Sequence, residues 1–124
     1  MIDRAFWRNR RVLLTGHTGF KGAWLSLWLE RLGADVVGFS LAPETEPSMF
    51  SMLGPLARQV SRIGDIRDPN QVAAAVREAR PSIAVHMAAQ PLVRRSYREP
   101  LETYGTNVMG TAHLLDALRA TDRE

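Results

Sequence analysis

Hydrophobic positions along this chain switch between short unbroken runs and a helical period, and the switch points mark its elements. The run Val12-Leu13-Leu14, bounded by Arg11 and by Thr15-Gly16, predicts a strand buried on both faces of a sheet. A glycine-bearing turn follows, then residues 21–32, where Ala23, Trp24, Leu25, Leu27, Trp28, Leu29 and Leu32 leave little polar face. Such a segment predicts a helix packed on more than one side and stopped at Gly33. Residues 35–40 (Asp-Val-Val-Gly-Phe-Ser) predict a second strand. Residues 41–58 carry Pro43, Pro47 and Pro55 and a small apolar group at Met49, Phe50, Met52 and Leu53, which predicts a loop holding one helical turn.

Residues 59–66 contain a weaker third strand ending at Gly64-Asp65. Asp68-Pro69-Asn70-Gln71 is a helix start: Asp68 can cap, Pro69 suits the first helical position, and Gln71 stands where a capping box needs it. Val72, Val76 and Ala79 share one face, and Pro81 stops that helix. Residues 83–87 predict a fourth strand. After a loop, Pro100 opens a last helix with an apolar stripe at Leu101, Tyr104, Val108, Thr111, Leu115 and Leu118. Strands alternating with helices through right-handed crossovers give a parallel sheet. The expected fold is α/β, the first half of a Rossmann-type doubly wound sheet of order 3-2-1-4, as one domain over residues 1–124.

Composition narrows the function classes. The chain has no cysteine, which excludes disulfides and thiolate metal sites. His17, His86 and His113 lack ligand spacing, so no metal is expected. No run of 18 apolar residues predicts a membrane span, and the first residues lack a signal-peptide core, so a cytoplasmic protein is expected. The net charge is +3, and its arginine clusters come without interleaved aromatics or a nucleic-acid motif. No nucleic-acid partner is expected; the cluster at Arg94, Arg95 and Arg98 better suits a sugar-nucleotide phosphate.

The candidate chemistry sits in Thr15-Gly16-His17-Thr18-Gly19-Phe20-Lys21-Gly22, between the first strand and the first helix. Gly16 permits the turn, Gly19 clears the approach of a pyrophosphate, and Gly22 lets helix and strand pack closely. Free N–H groups at the helix start and the helix dipole favour the phosphate charge. A nucleoside-triphosphate loop is excluded because Lys21 is followed by Gly22 rather than Ser or Thr. The end of the second strand holds Ser40 where an acid commonly meets the ribose, and no Arg follows within four residues. Asp65 is either an acceptor for the adenine amino group or a solvated turn aspartate. Ala88 and Ala89 leave room for a nucleotide at the sheet end, and Gln90 and Asn107 either bond the cofactor or cap backbone.

These segments resemble a known family. Thr15–Gly22 is similar to the TGxxGFxG fingerprint of the extended short-chain dehydrogenases/reductases; Gly64-Asp65-Ile66-Arg67-Asp68, His86-Met87-Ala88-Ala89-Gln90 and Tyr104-Gly105-Thr106-Asn107 resemble its adenine-side, fourth-strand and helix motifs. Residues 17–29, 46–50 and 90–97 resemble its sugar-nucleotide 4,6-dehydratase branch, the lyases that take CDP-glucose. The resemblance implies NAD as cofactor, held by Gly16, His17, Thr18, Gly19, Phe20, Lys21, Gly22, Ser40, Asp65, Ile66, Ala88, Ala89, Gln90 and Asn107. It gives Asn107 a supporting catalytic role, through main chain and water, toward a catalytic lysine. It implies CDP-glucose as the partner substrate and a homo-oligomer. Tyr97 and Tyr104 are followed four residues on by Leu101 and Val108, so the family's Tyr-x-x-x-Lys pair is absent. The chain is therefore expected to be the nucleotide-binding part without the C-terminal substrate part, and inactive alone. Another nucleotide-sugar enzyme, an epimerase or a GDP-mannose dehydratase, and a non-catalytic NAD(P)-sensing module stay open.

Overall fold

A computed structural model describes residues 1–121. A short helix α1 (Arg4–Trp7) leads into β1 (Arg11–Thr15), α2 (Phe20–Leu32) and β2 (Asp35–Ser40). Next come α3 (Met49–Leu53), a 3₁₀ turn (Gly54–Leu56), β3 (Val60–Ile63), α4 (Pro69–Ala79) and β4 (Ile83–His86). The last helical stretch is α5 (Val93–Arg98), α6 (Pro100–Tyr104), a π-helical segment (Gly105–Met109) and α7 (Gly110–Thr121). The strands form one parallel sheet of order β3-β2-β1-β4, as the pattern predicts.

β1 is central because its residues are apolar toward both faces. Val12 and Leu14 pack with Leu29, Ala34 and Val36 beneath α2. Leu13 packs on the opposite face with Val72, Val76, Leu114 and Ala117 of α4 and α7. Burying each such side chain contributes roughly 1.5–3 kcal/mol. The caps follow the reading: Gly33 closes α2 at φ 95°, and the Asp68 carboxylate accepts from the N–H groups of Asn70 and Gln71. Gln71 does not close the expected capping box: its side chain donates to the Asp68 carboxylate and accepts the N–H of Asp65, while the Asp68 N–H goes to Asp65 O.

Three expectations change. α5 occupies what reads as loop. α2 is not packed all round: Ala23, Ser26 and Leu29 face the sheet, while Trp24 and Trp28 remain 49% and 52% exposed. Most of the stripe of the last helix faces outward, with Leu101 87% and Leu115 62% exposed, while Thr111 and Leu118 turn inward. Its inward line is instead Thr103, Asn107, Gly110, Leu114 and Ala117, equally helical in spacing but smaller and more polar. Gly110 lies on Ile66 so closely that a Cβ would stand 2.7 Å from Ile66 Cγ2, which selects this face for packing.

Candidate functional site

The C-terminal ends of β1, β2 and β4 open into a cleft of about 500 Å³. In a parallel sheet this is where the loops diverge and leave a crevice. One wall is the turn between β1 and α2, contributing Gly16, Thr18, Gly19 and Phe20. The second is Met87, Ala88, Ala89 and Pro91 after β4, with Thr106 from the π-helical segment. Ser40, the loop through Ser48, Asp65 and Ile66 close the remaining side.

The three turn glycines differ in why they are bare. Gly16 has φ 78°, and a Cβ there would meet the Met87 carbonyl carbon at 2.7 Å. A Cβ on Gly22 would meet the Gly16 carbonyl oxygen at 2.0 Å. Packing therefore demands both. Gly19 has ordinary extended backbone, and its Cβ would touch only Gly16 O, at 3.4 Å. The fold would accept a side chain there, but that side chain would enter the cleft. The first bond of α2 runs from Ala23 N–H to Gly19 O, which leaves the N–H groups of Phe20, Lys21 and Gly22 ahead of the helical ladder. A bare cradle beside unpaired donors and a positive helix end fits a pyrophosphate.

The other turn residues divide into two sets. Thr18 hydrogen-bonds Ser40 Oγ at 2.8 Å and donates to Leu41 O at 2.7 Å, tying the turn to the end of β2. His17 points away from the cleft into the core. It is fully buried over Gly38, contacts Ser61 Oγ through Nε2 at 2.7 Å, and packs edge-on against Phe50. Its Nδ1 has no partner, and burial pushes its pKa from 6.5 down to about 4. Lys21 is exposed on α2 outside the cleft lining.

Asp65 lines the cleft but is neither a free turn aspartate nor an idle acceptor. Arg67 grips both its oxygens, with Nε at 3.0 Å from each and Nη2 at 2.6 Å from Oδ2. This pair holds the carboxyl below its usual pKa. Ala88 and Ala89 line the cleft as expected, whereas Gln90 is buried and turned inward, donating to Thr103 and to Leu92 O. Asn107 serves backbone: its Oδ1 accepts Gln90 N–H at 2.8 Å and its Nδ2 donates to Gln90 O at 3.1 Å. Arg95 is committed to carboxylates, at 2.9 Å from Glu99, 2.7 Å from Glu102 and 3.5 Å from Glu44. That leaves exposed Arg94 and Arg98 as the phosphate candidates of this cluster.

Sequence reasoning misses the loop between β2 and α3, which supplies Leu41, Ala42, Pro43 and Glu44 to the cleft. Its proline content reads as irregularity. Its position after a strand at the sheet's C-terminal edge is the signal that marks it as site.

Known proteins match this arrangement. Over 119 residues, 96% of this chain, it is 54% identical to the CDP-glucose 4,6-dehydratase of Salmonella typhimurium, covering 33% of that protein. It is 30% identical to the CDP-paratose 2-epimerase of Salmonella typhi, covering 32% of it. The chain thus spans about a third of the length of these curated relatives. Among solved structures, the UDP-glucose-4-epimerase of Stenotrophomonas maltophila with bound NAD and formylated UDP-arabinopyranose superposes with a TM-score of 0.79 at 28% identity, over 90% of this chain and 34% of that one. The Brucella ovis UDP-glucose 4-epimerase in complex with NAD gives 0.78 at 28% identity, over 93% of this chain and 34% of that one. The family model for GDP-mannose 4,6 dehydratase matches residues 13–124. A parallel sheet with a glycine turn at its switch point, joined to that match, makes this chain a member of the GDP-mannose 4,6 dehydratase family.

Proposed function

We propose that this chain is the NAD-binding part of a sugar-nucleotide 4,6-dehydratase that converts CDP-glucose to CDP-4-keto-6-deoxyglucose and water. The observation that carries the reading is Gly19: its bareness serves the cleft rather than the fold. The 54% identity to a CDP-glucose 4,6-dehydratase supports CDP-glucose as the substrate.

Gly16 and Gly19, with the N–H groups opening α2, would hold the pyrophosphate. Thr18 and Ser40 would meet the adenosine ribose with hydroxyls rather than with an acid. The cleft lining carries Glu44 and Asp65 but no Lys or Arg among the described residues. A 2′-phosphate brings about two negative charges, and here it would lose water without gaining a cation. This supports NAD over NADP. Arg67, the nearest candidate clamp, is already paired with Asp65. Ala88 and Ala89 leave room for the nicotinamide side of the molecule. When bound, NAD supplies the acceptor for the C4 hydride of the hexose and its return to C6. Asn107 would act indirectly, by fixing the loop after β4.

This chain alone should turn nothing over. Tyr97 and Tyr104 are exposed and have no lysine four residues on. A tyrosine serves as a base at neutral pH only with a neighbouring cation to stabilise its phenolate. In the full-length protein, NAD and CDP-glucose should yield a 4-keto-6-deoxy sugar nucleotide, and calorimetry should rank NAD above NADP. An epimerised sugar as sole product would replace the dehydratase reading by an epimerase one. Tighter NADP binding would overturn the cofactor assignment.

A further inference from the structure

The two walls of the cleft are joined underneath by one imidazole. His86, the last residue of β4, lies between Thr15 of β1 and Thr111 of α7, with Nδ1 at 2.6 Å from Thr15 Oγ1 and Nε2 at 3.0 Å from Thr111 Oγ1. The direction of every bond in this chain follows from counting protons. Thr111 has one hydroxyl proton, and it lies 2.7 Å from the carbonyl of Asn107, which can only accept. Thr111 Oγ1 must then accept from His86, so Nε2 carries a proton. Thr15 Oγ1 already accepts the N–H groups of Met87 at 3.0 Å and Ala88 at 3.1 Å. Its own proton has one partner left, His86 Nδ1, which must be bare.

We infer that His86 is a positioning residue locked as the neutral Nε2–H tautomer, coupling the glycine-turn wall to the π-helical wall of the cleft. The polarity runs without a break. The N–H groups of Met87 and Ala88 point to Thr15, Thr15 donates to His86, His86 donates to Thr111, and Thr111 donates to Asn107. Asn107 in turn grips both backbone groups of Gln90, so Ala88 and Ala89 are held from either end. A charged imidazole would aim a second N–H at Thr15 and strand the hydroxyl proton with no acceptor. Burial acts in the same direction, pushing the His86 pKa down. The π-helical segment has a purpose in this wiring. It places Asn107 against Gln90 while Thr111, four residues on, reaches back to the Asn107 carbonyl.

The coupling to dinucleotide affinity rests on the NAD-binding reading above; the tautomer does not. Nitrogen NMR of the full chain labelled at histidine should show His86 as a single Nε2–H species at neutral pH. His86→Phe keeps ring volume and removes both bonds; it should weaken NAD binding about tenfold and expose the Gln90 amide to exchange. His86→Gln, which offers one acceptor and one donor, should recover most of both. Thr111→Val should speed Gln90 exchange by itself, and serves if the phenylalanine variant fails to fold. An Nδ1–H species, an averaged mixture, or a phenylalanine variant that keeps both NAD affinity and Gln90 protection would overturn the inference. If the unaltered protein binds no NAD, the cofactor reading falls, and the bridge is judged by the tautomer and the Gln90 amide.

Discussion

The two walls of the cleft are built by opposite means. The wall at the start of α2 is shaped by missing side chains: Gly16 and Gly22 lie so close that no Cβ fits, and Gly19 leaves the cleft open. The wall after β4 is shaped by side chains spent on backbone: Thr15, His86, Thr111 and Asn107 each hold a neighbouring main-chain group or one another. The first is rigid because atoms exclude each other at short range. The second is specific because each donor finds one acceptor. Damage should therefore be abrupt at the first and graded at the second.

The largest expected effect is at Gly22. A valine there would force its Cβ against Gly16 O, so Gly22→Val should destabilise the chain by about 3 kcal/mol or more, read as a lowered urea midpoint. A fold that tolerates it would show the turn to be soft.

His17, under the same wall, sets an acid limit. Folded, it stays neutral down to about pH 4, whereas the unfolded chain takes up its proton near 6.5. Between those values the unfolded state binds more protons, so stability falls as pH drops from 6.5 toward 4 and is independent of this group above 6.5. The full loss is on the order of 3 kcal/mol. Chemical unfolding at stepped pH should show it, and His17→Gln should flatten the slope.

Gly19 separates binding from folding. Gly19→Val should lower NAD affinity roughly a hundredfold, by clash with the pyrophosphate, while leaving stability within about 0.5 kcal/mol. Unchanged affinity would remove the cradle from the cofactor reading.

At the second wall, Asn107→Ala leaves Gln90 N–H and O without their partners and should cost about 2 kcal/mol. Asn107→Asp keeps the acceptor for Gln90 N–H but turns a carboxylate oxygen toward Gln90 O, so it should lose at least half of that by the same measure. No loss in the aspartate variant beside a loss in the alanine one would mean that only the volume of Asn107 matters.

The smallest effect is expected outside both walls. Glu44 lies 3.5 Å from Arg95, which keeps Glu99 and Glu102 as partners, and Glu44 is exposed. Glu44→Ala should change stability by less than about 0.5 kcal/mol in a thermal scan.

The last helix and α4 explain how far a pattern can be trusted. In α4 the apolar positions Val72, Val76 and Ala79 are all buried, with Ala75 beside them, because the opposite face is polar and nothing competes. In the last helix two stripes compete at equal period. The one with Leu101 and Leu115 is more apolar, yet the one with Gly110, Leu114 and Ala117 is packed. Periodicity says that a face seeks cover; it does not say which face the neighbouring helix can approach. Gly110 against Ile66 settles that by size.

By itself the sequence determined the parallel α/β order, the extent of β2, the caps at Gly33 and Asp68, and a glycine turn between β1 and α2. These depend on local rules: burial of unbroken apolar runs, capping chemistry, and the space a glycine leaves. Only the tertiary structure decided that His17 turns into the core, that Arg67 takes Asp65, and that Gln90 and Asn107 bind each other's segment. Each of these is a competition between polar groups far apart in sequence or free to turn either way. Its outcome is set by which donor and acceptor the packed sheet and helices bring within hydrogen-bond reach, and no local pattern records that distance.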